Sequence, residues 1–585
     1  MKETSKASLR RSHDPAFVNH YFVGEGIDIG PADDPLSAHV AMFPKMRNAA
    51  SYPSSQGDLT KMEGVKESTL DFLHSSHSLA ELNNPHKALS RWLELLKPGG
   101  HAVVTVPDED LYGKGTWPSR FNRRHKWSFT VHKSDKRLPR SVNVLELIQT
   151  MSPVAHCERV TLVRNGYDER DANEDQTAKG LAECAIEIVL RKRAVASPRE
   201  LAQAASRARS VQEGVAACRE ALRTYPYHFD LYRYVLLELL RWDALEEVDS
   251  MWEECVKRLP GEHHPRLYHV LHEIARGRLQ KGFRMREELM ARFGWKRRTT
   301  VEPPRHVTEW SGQSLEGKAI AIWSEFGLGD EIFFLRFARF FREQCGAKRV
   351  IVMCQPPLVE LYEASGEADE VVSTESAANL PDIDYWVYPH AIPAHLTLDL
   401  EALPKAVPYL RAPSAVPSKL PIVAPNKLKV GLVFKGNPTH ENDRARSLPS
   451  LAVLDDLLRI PDIEFFSLQK GAGADEAADY AQKHANFHDV GAQVTTMAET
   501  AKAIESLDVV LTVDTSVAHV AGAMGKRVWM MLPFYGDWRW HYTREDSPWY
   551  PTMRLFRKRH GCDWSEVVAR IAGHLKMLRA DTTCV

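Results

Sequence analysis

The sequence predicts a multidomain α/β protein with an all-helical stretch set between its α/β parts, and three observations carry that prediction. Leu507 to Pro533 reads LDVVLTVDTSVAHVAGAMGKRVWMMLP, an apolar β-branched run, a polar turn, a helix and a second apolar run. Ala319 to Phe341 repeats the same order of strand, turn and helix. Between Ser197 and Gly294 nearly everything has helical spacing, punctuated by Pro226, Pro260 and Gly294 at intervals of 34 residues. Strands that alternate with helices imply parallel sheets joined by crossovers.

Within the last half, Val509 to Val513 is the first strand of the long motif, and Asp514, Thr515 and Ser516 can cap the helix that follows. Gly522 and Gly525 let that helix pack and stop, and Val528 to Leu532 begins another strand. A helix opening at the carboxyl end of a parallel strand presents free amides and a partial positive charge, which suit a phosphate. An ordinary βαβ unit with a capped helix would show the same residues. Upstream, Ala319 to Trp323 is a strand, Ser324 to Gly329 a turn, SEFGLG, and Asp330 opens an amphipathic helix through Phe341. Further strands are expected at Val350 to Cys354, Asp384 to Tyr388, Lys429 to Phe434 and Glu464 to Leu468. Two such folds in series place the ends of both sheets across one cleft.

The pieces WSGQSLEGK, WSEFGLGDEI, VPYLRA, VGLVFKGNPTHENDRARSL, FFSLQKG, the long motif itself and SPWYPTMRLFR occur in order between Trp310 and Phe556. In this the chain resembles the GT-B glycosyltransferases that accompany tetratricopeptide repeats in bacteria, distant relatives of the heptosyltransferases. The resemblance implies a two-lobed GT-B glycosyltransferase with lobes at 301–424 and 425–585. It also implies a terminal helix, Trp564 to Leu578, returning across the lobes.

Moving a sugar from a nucleotide diphosphate requires a base for the acceptor hydroxyl and donors or cations for the departing phosphate. Asp330, at the mouth of the turn that carries Gly327 and Gly329, is the expected base, and the resemblance to the heptosyltransferase GD motif points to the same residue. Capping its own helix is the other role open to it. Lys435, Asn437, Arg444 and Arg446 follow the strand ending near Phe434 and can offer donors to a diphosphate, although a charged loop is as often only solvated. Asp514, Thr515, Ser516 and His519 complete the expected donor site, His519 being equally suited to a packed core. The segment FYGDWRWHYTREDSPWYP can receive sugar rings, bases or phosphate, or can lock its lobe as a rigid aromatic loop. The lobe has no DxD cluster, so a metal-independent transfer is expected, and the resemblance implies inversion at the anomeric carbon.

In the N-terminal third, GIDIGPADDP from Gly26 to Pro35 is a strand and a turn, and DFLHSSHSLAELNNPHKALSRWLELLKPGGHAVVTVPD runs strand, helix, KPGG turn and strand. With DEDLYGKGTWPSRFNRRHKWSFTVHK, CERVTLVRNGYD and ECAIEIVLRKR, residues 15 to 192 resemble the class I methyltransferases that use S-adenosylmethionine. That implies a Rossmann-like domain, closed by an antiparallel strand pair, with Asp28, Gly30, Asp58 and Ser76 toward the cofactor. The chain departs from the pattern in three places. Ala32 stands where the family's second glycine lets backbone approach the methionine moiety. Tyr52 and Pro53 stand near the place of a ribose-binding acid, and Leu79, Ala80, Glu81 lack the histidine of the subgroup's LEH. Methyl transfer, and a folded relic that docks partners or positions an acceptor, are both open.

The six helical segments between these parts, from ELAQAASRARS to FRMREELMARFG, carry apolar stripes that cannot be buried singly. Their period is that of tetratricopeptide repeats, so a short α-solenoid of degenerate TPR-like repeats is expected, serving as spacer or as an acceptor surface.

A chain of 585 residues with 44% hydrophobic composition supports several cores, and a net charge of −1 provides no field for nucleic acid. Basic runs near Lys192 and Lys296 read as solvated boundary segments. Eight scattered cysteines without a CxxC pair point to a reducing compartment. No stretch is apolar enough to span a bilayer, and a cytoplasmic protein is expected. The expected plan is a methyltransferase-like domain at 1–194, a TPR-like region at 195–300 and the two lobes. The whole is read as a glycosyltransferase for a glycan precursor or protein acceptor, with a nucleotide sugar as donor, S-adenosylmethionine as a candidate cofactor and no metal. The alternatives are a methyltransferase that uses the GT-B half for recruitment, and an assembly scaffold.

Overall fold

A computed structural model describes residues 2–31, 33–135, 137–171, 174–178, 180–293, 301–396 and 404–583. The chain divides into two compact units, Met1–Pro265 and Arg266–Val585.

The first unit is built on strands β1 Gly24–Ile29, β2 Met46–Tyr52, β3 Leu70–Ser76 and β4 Leu96–Pro107, a small pair β5 Ser128–Thr130 and β6 Ser141–Asn143, then β7 Ala155–Val163 and β8 Ala185–Lys192. The main sheet runs β2-β1-β3-β4-β8-β7, parallel through β4 and antiparallel for the last two strands. Its central strands are apolar on both faces because helices cover both, as Ala102, Val103, Val104 and Val106 of β4 show. The KPGG turn lies inside β4: Leu70 pairs with Leu96 and Phe72 already with His101, so the extra residues bulge out, with Gly99 at φ +84°.

An N-terminal helix, Glu3–Ser12, is fastened to this sheet by buried charge. Arg11 donates to Glu187 (2.8 Å) and to Thr105 (3.1 Å), and Arg10 reaches Glu183 and Glu187. Four helices close the unit, Pro198–Ser206, Val211–Thr224, Phe229–Arg241 and Leu245–Arg258, each packed on the next. Ser197, Ser210 and His228 cap the first three. The fifth helical segment, His263–Ala275, crosses the boundary between the units, and Leu279–Phe293 belongs to the second. Gly294 and Lys296 lie outside the described residues.

The second unit holds two parallel sheets. One is formed by β9 Thr308–Glu309, β10 Ala319–Ile322, β11 Arg349–Cys354, β12 Glu370–Ser373 and β13 Tyr385–Val387 in the order β12-β11-β10-β13-β9. The other is formed by β14 Leu428–Val433, β15 Ile463–Ser467, β16 Phe487–Asp489, β17 Val509–Val513, β18 Val528–Leu532 and β19 Met553–Arg557 in the order β16-β15-β14-β17-β18-β19. In each sheet the connection reverses direction at the centre, between β10 and β13 and between β14 and β17, which opens a crevice at the strands' carboxyl ends.

The helix expected from Asp330 to Phe341 differs in its limits. It starts at Leu328, with Gly327 as N-cap and Asp330 in the first turn, is interrupted at Leu335 and resumes as Arg336–Cys345. At the interruption the Arg336 Nε donates to the Phe333 carbonyl at 2.8 Å and occupies the acceptor of the next helical turn. The terminal helix, Trp564–Thr583, buries Val567, Val568, Ile571 and Leu575 in a core shared with Phe556 of the second sheet and with Leu454 and Leu457 of the helical turns between β14 and β15.

Candidate functional site

In the second unit a cavity of about 500 Å³ lies at the carboxyl ends of both sheets. The turn after β10 supplies Gly327, Gly329 and Asp330; the loop after β14 supplies Asn437 and Arg446; the turn after β17 supplies Asp514, Thr515, Ser516 and His519. These predicted residues are therefore brought together. Two others are not: Lys435 forms an ion pair with Glu476 at 3.1 Å, and Arg444 is exposed, and neither lines the cavity. The loop after β14 folds into a short helix, Asp443–Arg446, which turns Arg446 inward and Arg444 outward.

The helices Leu328–Phe334 and Ser516–Ala523 meet end to side at this cavity. A Cβ on Gly329 would come within 3.0 Å of His519 Cδ2 and 3.8 Å of Ser516 Cα, so the glycine permits the approach. His519 is buried, and its Nδ1 lies 2.9 Å from Tyr550 Oη. Burial, then the nearby Arg539, push its imidazole down to about 3, so it is neutral there. It is thus both packed and cavity-lining.

Asp330 lines the same cavity and caps its own helix. Its Oδ2 accepts from the Gly327 amide at 3.2 Å, as a cap, and its Oδ1 pairs with Arg539. Burial alone would raise its pKa, but Arg539, His390 and the Gly327 amide outweigh burial and hold it well below the usual carboxylate range. Arg539 also donates to Asp537 at 2.9 Å, and its guanidinium stacks over Trp538 and Phe333. Asp514 shows the opposite behaviour. Burial, and next the charge of Asp537, push it up to about 6. Two carboxylates of the cavity are thus shifted in opposite directions, Asp330 down by Arg539 and Asp514 up by burial.

Asp537, Arg539 and His390 were not singled out from the sequence. The pattern GDWRW, four residues past the end of β18, is the local signal that places an acid and an arginine beside tryptophans. His390 follows β13 and has no local motif; only the fold places it behind Asp330, with Nε2 at 3.6 Å from Asp330 Oδ1.

The first unit has a smaller cleft of about 280 Å³ lined by Gly30, Ser54, Ser76, His77, Ser78, Tyr112 and His125, with Glu3 and Thr4 of the N-terminal helix as part of its wall. Gly30 takes φ +68°, and Ser76 Oγ and His77 Nε2 are buried without a hydrogen-bond partner, so polar groups do face a ligand-sized space. Asp28 is not among them. Its carboxylate accepts from His74 Nδ1 at 2.7 Å and from the Leu36 amide at 2.6 Å, deep in the network that holds Arg11. Asp58 is exposed and accepts from the Thr60 amide, and Ala32 lies outside the described residues. The space a Cβ would take at Gly30 is already filled by Ser78 Oγ at 2.3 Å and Leu59 at 3.0 Å. At the end of β2 stand the buried Tyr52, donating to the Glu63 carbonyl, and then Pro53. Tyr52 and Pro53 thus offer the ribose of S-adenosylmethionine no carboxylate, while Ser76, His77 and Ser78 keep polar groups at the cleft.

A larger cavity of the first unit, about 730 Å³, is bounded by helix Val144–Met151 and the helices from Val211 to Arg258, over a floor of Cys218, Leu222, Tyr232, Val235, Leu239 and Met251. On its rim Arg219 pairs with Glu247 and Arg258 with Glu254. Elsewhere, among the described residues, His20, His101 and Glu158 bring three ligand atoms within 4.8 Å of one another. Glu158 is the bulged residue of β7, and its Oε1 already accepts from Arg191 at 2.6 Å. Among the described residues no helix is long and apolar enough to cross a membrane.

Residues 15–149 match the family model described as Methyltransferase domain, at the end of the chain where the sequence resemblance places it. Protein FlbA of Caulobacter vibrioides is 27% identical over 293 residues, which are 46% of this chain and 48% of that protein. The chain therefore spans about half the length of the curated relative it matches. Among solved structures, the ADP-heptose lps heptosyltransferase II of E. coli covers 45% of this chain and 99% of its own at 13% identity, with a TM-score of 0.32. The glycosyl transferase family 9 protein from Veillonella parvula covers 46% and 91% at 12% identity, TM-score 0.31. A putative S-adenosylmethionine dependent methyltransferase from Listeria monocytogenes covers 32% and 99% at 12% identity, TM-score 0.22. At these scores the likenesses add nothing to the chemistry of the two clefts.

Proposed function

We propose that the second unit transfers a sugar from a nucleotide-sugar donor to a glycan-precursor or protein acceptor. The observation that carries this reading is the pairing of Asp330, at the carboxyl end of β10, with Arg539, beyond the end of β18, over a cavity that also holds Arg446 and the helix opening at Thr515 and Ser516. In the reading, Thr515, Ser516, the helix amides, Asn437 and Arg446 receive the diphosphate, and Asp514 or His519 faces ribose or sugar. Asp330 receives the acceptor proton. Two guanidinium groups at the cavity supply the positive charge that the leaving diphosphate needs, which favours a metal-independent reaction. Inversion at the anomeric carbon accords with attack on the donor from the Asp330 side.

Calorimetric titration with UDP, GDP and ADP, on the wild type and on Asp514→Ala and Arg446→Ala, tests the reading. Diphosphate binding that Arg446→Ala weakens supports it; no binding of any diphosphate sinks it. Transfer or hydrolysis measured in excess EDTA tests metal independence, and the anomer released, followed by NMR, tests inversion.

A second reading, methyl transfer by the first unit, is favoured by the match of residues 15–149 to a methyltransferase domain. The same titration with S-adenosylhomocysteine separates it from the first, and silence from both ligand classes would favour an assembly scaffold. Protein contacts through the helices from Pro198 to Arg258, and a cytoplasmic location, belong to this proposal.

A further inference from the structure

Behind Asp330 runs a buried line of charged groups that the donor site does not use. Arg286 Nη2 reaches Glu325 Oε1 at 3.0 Å. Glu325 Oε2 then accepts twice from one residue, from the His390 Nδ1–H at 3.0 Å and from the His390 backbone amide at 3.2 Å. The far ring nitrogen, Nε2, lies 3.6 Å from Asp330 Oδ1. Glu325 is fully buried, His390 is nearly so, and the imidazole is packed between the rings of Phe326 and Phe334. Glu325 is thus the shared acceptor of a buried guanidinium, a backbone amide and an imidazole.

The tautomer follows from these contacts. A neutral imidazole that donates Nδ1–H to Glu325 turns its unprotonated Nε2 toward Asp330 Oδ1, an oxygen that also accepts from Arg539, with no proton between the nitrogen and that oxygen. The gap is short of a proton in the resting state and well suited to receive one. Asp330 needs such an outlet, because a carboxylate stabilised by Arg539 is a poor place to keep a proton at neutral pH.

We infer that Glu325, His390 and Asp330 form a proton relay in which His390 is a positioning residue that takes from Asp330 the proton of the acceptor hydroxyl. The inference rests on the glycosyl-transfer reading. In the step, the acceptor oxygen forms its bond to the anomeric carbon and the bond from that carbon to the diphosphate oxygen breaks, its electron pair leaving with the diphosphate. The acceptor proton passes to Asp330 Oδ1 and on to His390 Nε2. The resulting imidazolium lies between Glu325 and Asp330, with Arg286 and Arg539 each one group farther away, and returns the proton to solvent after the products leave. With His390 charged, the line Arg286, Glu325, His390, Asp330, Arg539 alternates in sign throughout.

The test uses the full-length protein with UDP-, GDP- and ADP-hexoses, water or added glycan serving as acceptor, and follows kcat and KM against pH in the wild type, His390→Gln and Glu325→Gln. His390→Gln is expected to lower kcat about 10²-fold with KM for the donor little changed. It is also expected to abolish the acid limb of the kcat profile. Glu325→Gln keeps a hydrogen-bond partner but removes the charge, so the acid limb moves to lower pH. In parallel, imidazole carbon–nitrogen NMR, with His390 assigned by its loss in His390→Gln, reads the tautomer and the titration without any donor. An Nδ1–H ring whose midpoint falls in both Glu325→Gln and Asp330→Asn is expected. An unchanged pH profile in a His390→Gln enzyme that still turns over donor overturns the relay alone, as does an Nε2–H tautomer. A ring that titrates as expected in a protein that binds no diphosphate and turns over no donor overturns the glycosyl-transfer reading, and the relay's role with it.

Discussion

Arg539 forks between two carboxylates: one guanidinium nitrogen pairs with Asp330 on the turn after β10, and the other meets Asp537 Oδ1 at 2.9 Å on its own loop. The fork joins the ends of the two sheets of the second unit and keeps Asp330 ionised by direct charge.

Replacing Arg539 by Met is expected to leave two partly buried carboxylates without a counterion, at a cost of roughly 3 kcal/mol in the second unit. Asp330 has a depressed folded pKa, so the stability it contributes is present above its unfolded value of about 3.9 and is lost as pH falls toward the folded one. Thermal melts of wild type and Arg539→Met should therefore differ at pH 7 and converge at the acid end. A difference that does not shrink on acidification would show that the arginine acts by packing.

Asp514 should behave in the reverse way. Its carboxyl is pushed up to about 6 by burial and by Asp537, so ionising it opposes folding as pH rises from about 4 through 6. Asp514→Asn is expected to melt several degrees higher than wild type at pH 7.5 and to show no gain at pH 4. It is also expected to flatten the pH dependence of diphosphate binding between pH 5 and 7, read by calorimetry.

Arg336 is the central tie between the two sheets. It is buried, donates to the Trp549 carbonyl at 2.9 Å and to Tyr409 Oη at 3.1 Å, and lies against the rings of Phe333, Tyr409 and Tyr550. Arg336→Ala removes those donors and opens a cavity, and should cost about 3 kcal/mol or more. Arg336→Lys should recover little of it, since one ammonium cannot replace a planar fork. Urea unfolding followed by tryptophan fluorescence reads both.

S-adenosylhomocysteine is expected to bind the first unit weakly, at about millimolar, because Tyr52 and Pro53 stand where a ribose-binding carboxylate would make charge-assisted hydrogen bonds of about 1.5–3 kcal/mol. Ser54→Glu, which puts a carboxylate on the cleft wall, should tighten binding about tenfold by calorimetry. Micromolar binding by the wild type would overturn this account of the cleft.

Much of the second unit was legible because its strands are short apolar runs ending in polar turns. Val509–Val513 and Val528–Leu532 fall at the expected residues, and Asp330, Asp514 and His519 do converge. The edge-side strands β12, β16 and β19 carry little apolar pattern of their own, so no local signal marks them. Lys435 and Arg444 were expected at the cavity on charge alone. Charge says nothing about direction, and Glu476 takes the one while solvent takes the other. Asp28 looked like a cofactor contact from its position after the first strand, but its side chain is drawn inward by His74 and the Leu36 amide.

The sequence by itself determined the alternation of strands and helices, the six-helix stretch and the glycine turns, because these follow from local periodicity and backbone preference. Only the tertiary structure decided which charged groups meet. Asp330 with Arg539, Glu325 with His390 and Asp28 with His74 are separated by 209, 65 and 46 residues. Such pairings depend on where the strand ends come to lie and on which side chains lose their water, and no local pattern encodes either.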